Sequence, residues 1–303
     1  MQSKSPPDIA AARRAVPVVT GVAALAERYD GFILDLWGTV HDGIAPLPGA
    51  LDALERLQAL GKKVLLLSNA PRRNYAVLEL MRRVGVPEGL YDELLSSGEA
   101  AYLALRDRRD AWHARLGRRC FLLGPADDDS AMEDLDLDTV KTLAEADFIL
   151  GIGAFRRGDT LERYDSFIAE AAARRLPMIC ANPDLVVLRG PVLEICAGGI
   201  AERYEAAGGD VYYHGKPHAP IYGMALERLG LDSGARVLAV GDSLRTDIAG
   251  AVAAGLDSLF LTSGIYAEEL GVAPFTDPPP ERVAALAAKH GHWPTAAASM
   301  FRW

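Results

Sequence analysis

Phe32-Ile33-Leu34-Asp35-Leu36-Trp37-Gly38-Thr39 decides the fold. Three apolar residues run into a carboxylate, and Gly38-Thr39 opens a turn soon after. A short apolar run bounded by turn residues predicts a buried strand, with Asp35 at its carboxyl end. A strand apolar on both faces suits a parallel sheet covered by helices on both sides. In open sheets of that kind, ligands bind outside the carboxyl ends of the strands. The same eight residues therefore also predict where the chemistry sits.

The pattern repeats outward from this stretch. Residues 50–60 have helical periodicity and end at Gly61, and 64–67 read as a second apolar strand. A helix over 75–84 stops at Gly85 and Pro87. Further strands are expected at 120–123, 148–152, 178–180, 186–188, 211–213, 237–240 and 258–261. Helices are expected at 161–175, 221–229 and 246–254. Alternating strands and helices imply βαβ units with right-handed crossovers, hence an α/β fold with a doubly wound parallel sheet. The apolar end of the tail, 290–303, predicts packing on a surface or on a partner subunit.

The bulk composition narrows the partners. The 303 residues suffice for two domains, and 50% of them are hydrophobic, which suits a large core. A net charge of -9 repels nucleic-acid phosphates and anionic lipid, so neither nucleic acid nor membrane is an expected partner. No apolar run approaches the roughly 20 residues that span a bilayer. The first residues lack the apolar core of a signal peptide, so a cytoplasmic location is expected. Cys120, Cys180 and Cys196 each sit in or beside an apolar run and read as reduced core residues.

Four separated features carry chemistry. Asp35, at a strand end, can attack phosphorus and form an acyl phosphate, although an Asp there can also simply cap the next turn. Ser68-Asn69 follows the second strand, where a hydroxyl and an amide can donate to phosphate oxygens. Lys216, in Gly215-Lys216-Pro217, can neutralise a phosphoryl group. Gly241-Asp242-Ser243-Leu244-Arg245-Thr246-Asp247 places two acids around a turn entering a helix. Hard carboxylate oxygens suit Mg²⁺, while Asp242 or Ser243 would serve equally as a helix N-cap.

Together, DxxGT, SN, GKP and GDxxxTD resemble the haloacid dehalogenase superfamily, in order and at the expected separations. The long stretch between Asn69 and Lys216 resembles the α/β cap of the type IIA branch, which includes nucleotide, pyridoxal-phosphate and nitrophenyl-phosphate phosphatases. VHDG at 40–43 and Cys180-Ala181-Asn182-Pro183-Asp184 strengthen the match. The resemblance implies a core of 1–97 plus 211–303 and an inserted cap of 98–210. It implies Asp35 as nucleophile and Mg²⁺ ligand, with the Trp37 carbonyl and Asp242 as further ligands. Asp247 would support the metal shell through water or hydrogen bonds. Ser68 and Asn69 would hold the phosphoryl group and Lys216 would neutralise it. Asn182 and Asp184 would lie in the loop that helps choose the substrate, although Asn-Pro also reads as an ordinary turn. The implied substrate is a small phosphorylated metabolite such as a sugar or nucleotide phosphate, and a homodimer is implied by resemblance alone.

One position departs from the family pattern. Most phosphatases of the superfamily carry an acid two residues after the nucleophile, and here that residue is Trp37, giving a DxWG variant. An indole N–H neither accepts nor releases a proton usefully. General acid–base catalysis is typically worth about 10²–10⁴-fold, so a slow or selective phosphatase is the first expectation. A different proton carrier, with His41 the nearest candidate, is a second. A phosphate-ester-binding protein with weakened turnover is the alternative.

Lesser signals read blandly. Gly151-Ile152-Gly153 lacks the third glycine of a dinucleotide fingerprint, since Arg156 stands there. Asp127-Asp128-Asp129 reads as a solvated loop, and His290 and His292 as a tail without a ligand cluster. Arg156, Arg157 and Arg189 read as exposed ion-pairing residues that could also meet a substrate anion.

Overall fold

The computed structural model describes residues 15–125, 130–189 and 192–303. Its strands are β1 (Gly31–Asp35), β2 (Lys63–Ser68), β3 (Glu93–Ser96), β4 (Arg119–Leu123), β5 (Asp138–Val140), β6 (Phe148–Gly151) and β7 (Met178–Cys180). These are followed by β8 (Val186–Arg189), β9 (Val192–Ile195), β10 (Val211–Tyr213), β11 (Val237–Gly241), β12 (Asp257–Leu261) and β13 (Ala296–Ala298). The chain divides into two compact units. One takes the chain up to Leu67, Leu80–Leu94 and Tyr222–Trp303; the other takes Ser68–Glu79 and Leu95–Ile221.

The first unit is built on a six-stranded sheet ordered β13-β12-β11-β1-β2-β3. β1 runs parallel to both β2 and β11, and β12 runs parallel to β11 and β13. The chain thus winds outward one way from β1 and later returns to wind the other way from β11, which makes the sheet doubly wound. Phe32, Leu34, Leu65, Leu66, Leu238, Leu259 and Phe260 are fully buried, as a sheet covered on both faces demands. Each such side chain contributes about 1.5–3 kcal/mol through burial, so these strands tolerate few polar residues. The crevice of a doubly wound sheet lies where the strand order reverses. Here that point is between β1 and β11, directly beyond Asp35 and Gly241.

The second unit carries a five-stranded sheet ordered β10-β7-β6-β4-β5, with parallel pairing throughout, and a separate antiparallel hairpin of β8 and β9. Phe148, Ile149, Leu150, Ile179 and Cys180 are buried at its centre. An α/β unit beside an α/β core is the architecture that the family resemblance implies. Val211 pairs with Met178, so β10 belongs to this second sheet, although the boundary expected at 210/211 assigned it to the core. The contact division likewise falls at Leu94/Leu95 and Ile221/Tyr222 rather than at 97/98 and 210/211.

Several elements have no local sequence signal. β3, β5, β9 and β13 are short, and β13 is three alanines with little intrinsic strand preference. The tail is drawn into the first unit by β12: Ala296–Ala298 pair with Leu259–Leu261, and Phe301 is 1% exposed. The helix expected at 246–254 is a π turn, Leu244–Ile248, followed by an α-helical piece, Ala249–Ala253. Cys120, Cys180 and Cys196 are buried and in no disulfide, and burial pushes the Cys120 thiol up to about 12.

Candidate active site

Asp35 ends β1, and Asp242 follows β11 on the neighbouring strand. The π turn then brings Asp247 back toward the same point; such widened turns recur at functional sites. One carboxylate oxygen from each of the three lies within 4.8 Å of the others. The backbone shapes this cluster closely. Gly38 has φ +82°, and a Cβ there would fall 2.3 Å from Asp242 Oδ2. The Ile265 N–H donates to that same oxygen at 3.4 Å, the Ser243 N–H donates to Asp247 Oδ2 at 3.0 Å, and the Thr39 hydroxyl lies 3.4 Å from Asp35 Oδ2. Glycine and threonine of the DxWGT stretch thus have physical roles: one lets the backbone pass Asp242, the other donates to Asp35.

Three carboxylates this close repel by about 3 kcal/mol per pair at an effective dielectric near 20. A divalent cation offsets that repulsion, and a donor set made only of hard oxygens suits Mg²⁺ or Ca²⁺ better than a soft metal. The residues present therefore fit a hard divalent ion.

Trp37 points its indole partly outward, at 38% exposure. The ring lies against Gly43, whose added Cβ would come within 2.3 Å of Trp37 Cη2, and meets the His41 ring edge-on at 5.6 Å. His41 is 1% exposed, and its Nδ1 accepts the Gly43 N–H at 2.9 Å. The ring proton must then sit on Nε2, which is buried without a partner. Burial pushes the His41 pKa down to about 4, so the ring is neutral near pH 7. Its observed work is to hold the turn and seat Trp37. Asp42 accepts the Ala45 and Ile44 N–H groups, which lower its carboxyl pKa.

The remaining expected residues lie in the second unit. Ser68 closes β2, and its Oγ accepts the Ala70 N–H at 3.1 Å. Asn69 is 5% exposed; its Nδ2 donates to Asp184 Oδ1 at 2.9 Å and to the Lys216 carbonyl at 3.0 Å, while its Oδ1 accepts the Lys216 N–H at 2.8 Å. Asn182 Oδ1 accepts the Asp184 N–H at 3.1 Å, which is the turn that Asn-Pro predicts. Asp35, Trp37, Asp242 and Asp247 thus gather in one unit, and Ser68, Asn69, Asn182, Asp184 and Lys216 in the other. The Asn69–Asp184 bond joins residues 115 apart, and no local signal announces it.

Of the lesser signals, Asp127, Asp128 and Asp129 and the Arg189 side chain lie outside the described residues. Arg157 reaches Glu194 at 3.8 Å, with a side chain 80% exposed. His290 packs edge-on against Tyr266 at 5.0 Å.

A haloacid dehalogenase-like hydrolase family model matches residues 32–138, and a second HAD-hydrolase-like model matches 213–288. A haloacid dehalogenase-like hydrolase from Brucella suis superposes with a TM-score of 0.78 at 31% identity, covering 93% of this chain and 99% of that one. The chain belongs to the haloacid dehalogenase-like hydrolases. Within that family it is of the type IIA kind, with an α/β cap. Bovine chronophin is 28% identical over 265 residues, 80% of this haloacid dehalogenase-like chain and 84% of chronophin. A glycerol phosphate phosphatase from Mycobacterium tuberculosis, solved in complex with magnesium, is 26% identical with a TM-score of 0.61, covering 79% of this chain and 69% of that one.

Proposed function

We propose that the protein is a Mg²⁺-dependent hydrolase of small phosphomonoesters that works through an aspartyl-phosphate on Asp35. The observation that carries this reading is the set of three carboxylates within 4.8 Å at the reversal point of the sheet. Phosphatases among its relatives, including one solved with magnesium, support the substrate class and the ion.

Asp35, Asp242, Asp247 and the Trp37 carbonyl would hold the ion. When bound, it supplies the positive charge that lets an anionic ester approach three carboxylates. The chain supplies the rest. An Asp35 oxygen forms a bond to phosphorus while the ester P–O bond breaks and the alcohol oxygen departs with the electron pair. Water then cleaves the acyl phosphate, releasing inorganic phosphate and regenerating Asp35. By the family resemblance, Ser68 and Lys216 would hold and neutralise the phosphoryl oxygens, and Asn182 and Asp184 would help choose the substrate. The insert, near residues 98–210, acts as the cap that excludes water and bulky esters.

Trp37 sets the limit on the reaction. It can donate a hydrogen bond to the leaving oxygen and cannot give up a proton. Esters whose alcohol leaves as a stable anion, aryl phosphates above all, should be the better substrates. The same residue favours a second reading, a protein that binds phosphate esters and turns them over negligibly. The deciding experiment is phosphate release from a panel of aryl and alkyl phosphates with Mg²⁺, for wild type beside Asp35→Asn. Trapping of a phosphoaspartate in wild type alone supports the enzyme; saturable binding with no turnover across the panel would overturn it.

A further inference from the structure

The side chain of Asn69 has two N–H donors and one carbonyl oxygen. In the structure all are engaged inside the protein. One nitrogen faces two oxygen acceptors, Asp184 Oδ1 at 2.9 Å and the Lys216 carbonyl at 3.0 Å. The oxygen faces a backbone N–H, that of Lys216, at 2.8 Å. Turning the amide over would set nitrogen against N–H and oxygen against oxygen, so the neighbours dictate a single orientation.

The geometry bears on Lys216. Its N–H and its C=O flank its Cα, and both are bound by one side chain. Holding the two groups together restrains φ and ψ of that residue, and therefore the direction of its Cα–Cβ bond. The preceding residue adds to the restraint. Gly215 has φ +120°, and a Cβ there would fall 2.6 Å from Asn69 Oδ1 and 2.8 Å from Pro183 Cδ. One residue earlier, the His214 N–H donates to the Cys180 carbonyl at 2.9 Å, which ends the strand pairing before the loop begins. Asp184 holds the Asn69 amide from the far side, and Asn182 holds the Asp184 backbone. Lys216 itself is 3% exposed.

An amide so used has no donor left for a phosphoryl oxygen unless one of these bonds is broken. Breaking a buried hydrogen bond costs about 1–3 kcal/mol, which a direct contact to substrate would first have to repay.

We propose that Asn69 is a positioning residue: it clamps the backbone of Lys216 and so aims that lysine, and acts on the reaction only through it. This rests on the phosphatase reading for the word reaction, while the clamp itself does not.

The test is a double-mutant cycle in the full-length protein with Mg²⁺ and p-nitrophenyl phosphate, combined with amide hydrogen exchange. Asn69→Ala should lower kcat/KM by about 10–100-fold, the usual range for a residue that orients another. In a Lys216→Ala background the same substitution should change kcat/KM less than about 2-fold, because the residue it acts through is gone. Exchange at the Lys216 amide should be faster in Asn69→Ala than in wild type. Additive losses in the double variant would show that Asn69 contacts the substrate and would overturn the proposal, as would an unchanged Lys216 exchange rate. Should the alanine variant not fold, Asn69→Asp, which keeps the acceptor and loses both donors, serves in the same cycle. If wild type releases no phosphate, the phosphatase reading fails, and the exchange measurement still decides the clamp.

Discussion

The Nε2 atoms of His113 and His214 lie 3.1 Å apart in the interior of the second unit. His113 Nδ1 meets Asp110 Oδ2 at 2.6 Å, so the carboxylate and the two rings form one hydrogen-bonded chain. Tyr212 packs against both rings, Trp112 lies edge-on to His113, and the charge of His218 also faces His214. His214 is pushed down to about 3, by burial first and the neighbouring His113 next. His41 in the first unit is likewise pushed down to about 4 by burial.

An acid sensitivity of stability follows. Unfolded histidines bind a proton near pH 6.5 and these two, folded, do not, so falling pH favours the unfolded chain. Stability should be level above about pH 7 and fall between about pH 6.5 and pH 4, by about 1.4 kcal/mol per histidine already at pH 5.5. Thermal melts from pH 7.5 to pH 5 check this. His214→Gln should flatten the decline; an unchanged slope in that variant would remove His214 from the explanation.

Trp37 stands where a proton donor is expected. Trp37→Asp should raise turnover of alkyl phosphates by about 10²–10⁴-fold and that of aryl phosphates much less. Steady-state rates on matched alkyl and aryl esters give the answer. Equal gains on both would mean that proton transfer does not limit this protein.

The carboxylate cluster predicts a metal dependence that can be read without activity. Mg²⁺ should raise Tm, since it relieves the repulsion among Asp35, Asp242 and Asp247, and at 100 times its Kd the gain is about 2.7 kcal/mol. EDTA should reverse the shift and abolish phosphate release. Asp242→Asn should shrink the Mg²⁺-induced shift in a titration followed by scanning fluorimetry.

Gly38 gives a stricter probe of the same place. Its φ of +82° and the 2.3 Å between an added Cβ and Asp242 Oδ2 leave no room for alanine. Gly38→Ala should cost about 1–2 kcal/mol from the left-handed backbone alone, with displacement of Asp242 added to it. Comparing denaturant midpoints and Mg²⁺-induced Tm shifts separates the two effects. A variant as stable and as metal-responsive as wild type would contradict so close an approach of Gly38 to Asp242.

Much of this protein was legible in its sequence because the signals are local. Apolar runs such as Phe32–Leu34 and Val237–Val240 read directly as strands, since burial on both faces leaves no polar positions in them. The acids at Asp35 and Asp242 read as strand-end residues, and Gly38 as part of the turn that follows Asp35. Local reading ended where a contact partner lies far along the chain. It made a surface segment or partner contact of the last residues, because nothing in three alanines says that β12 will pair with them. Asn69 reads locally as a phosphate donor, while in the fold both its donors go to residues 115 and 147 positions away. His41 was legible as a titratable ring, and only its burial made it neutral and structural. The sequence alone determined the strand order of chemistry, carboxylate after apolar run, since covalent neighbours carry that. Which carboxylates come together, which amide binds the lysine backbone and which histidines stay unprotonated were decided by tertiary packing, because burial and hydrogen-bond partners are properties of neighbours in space.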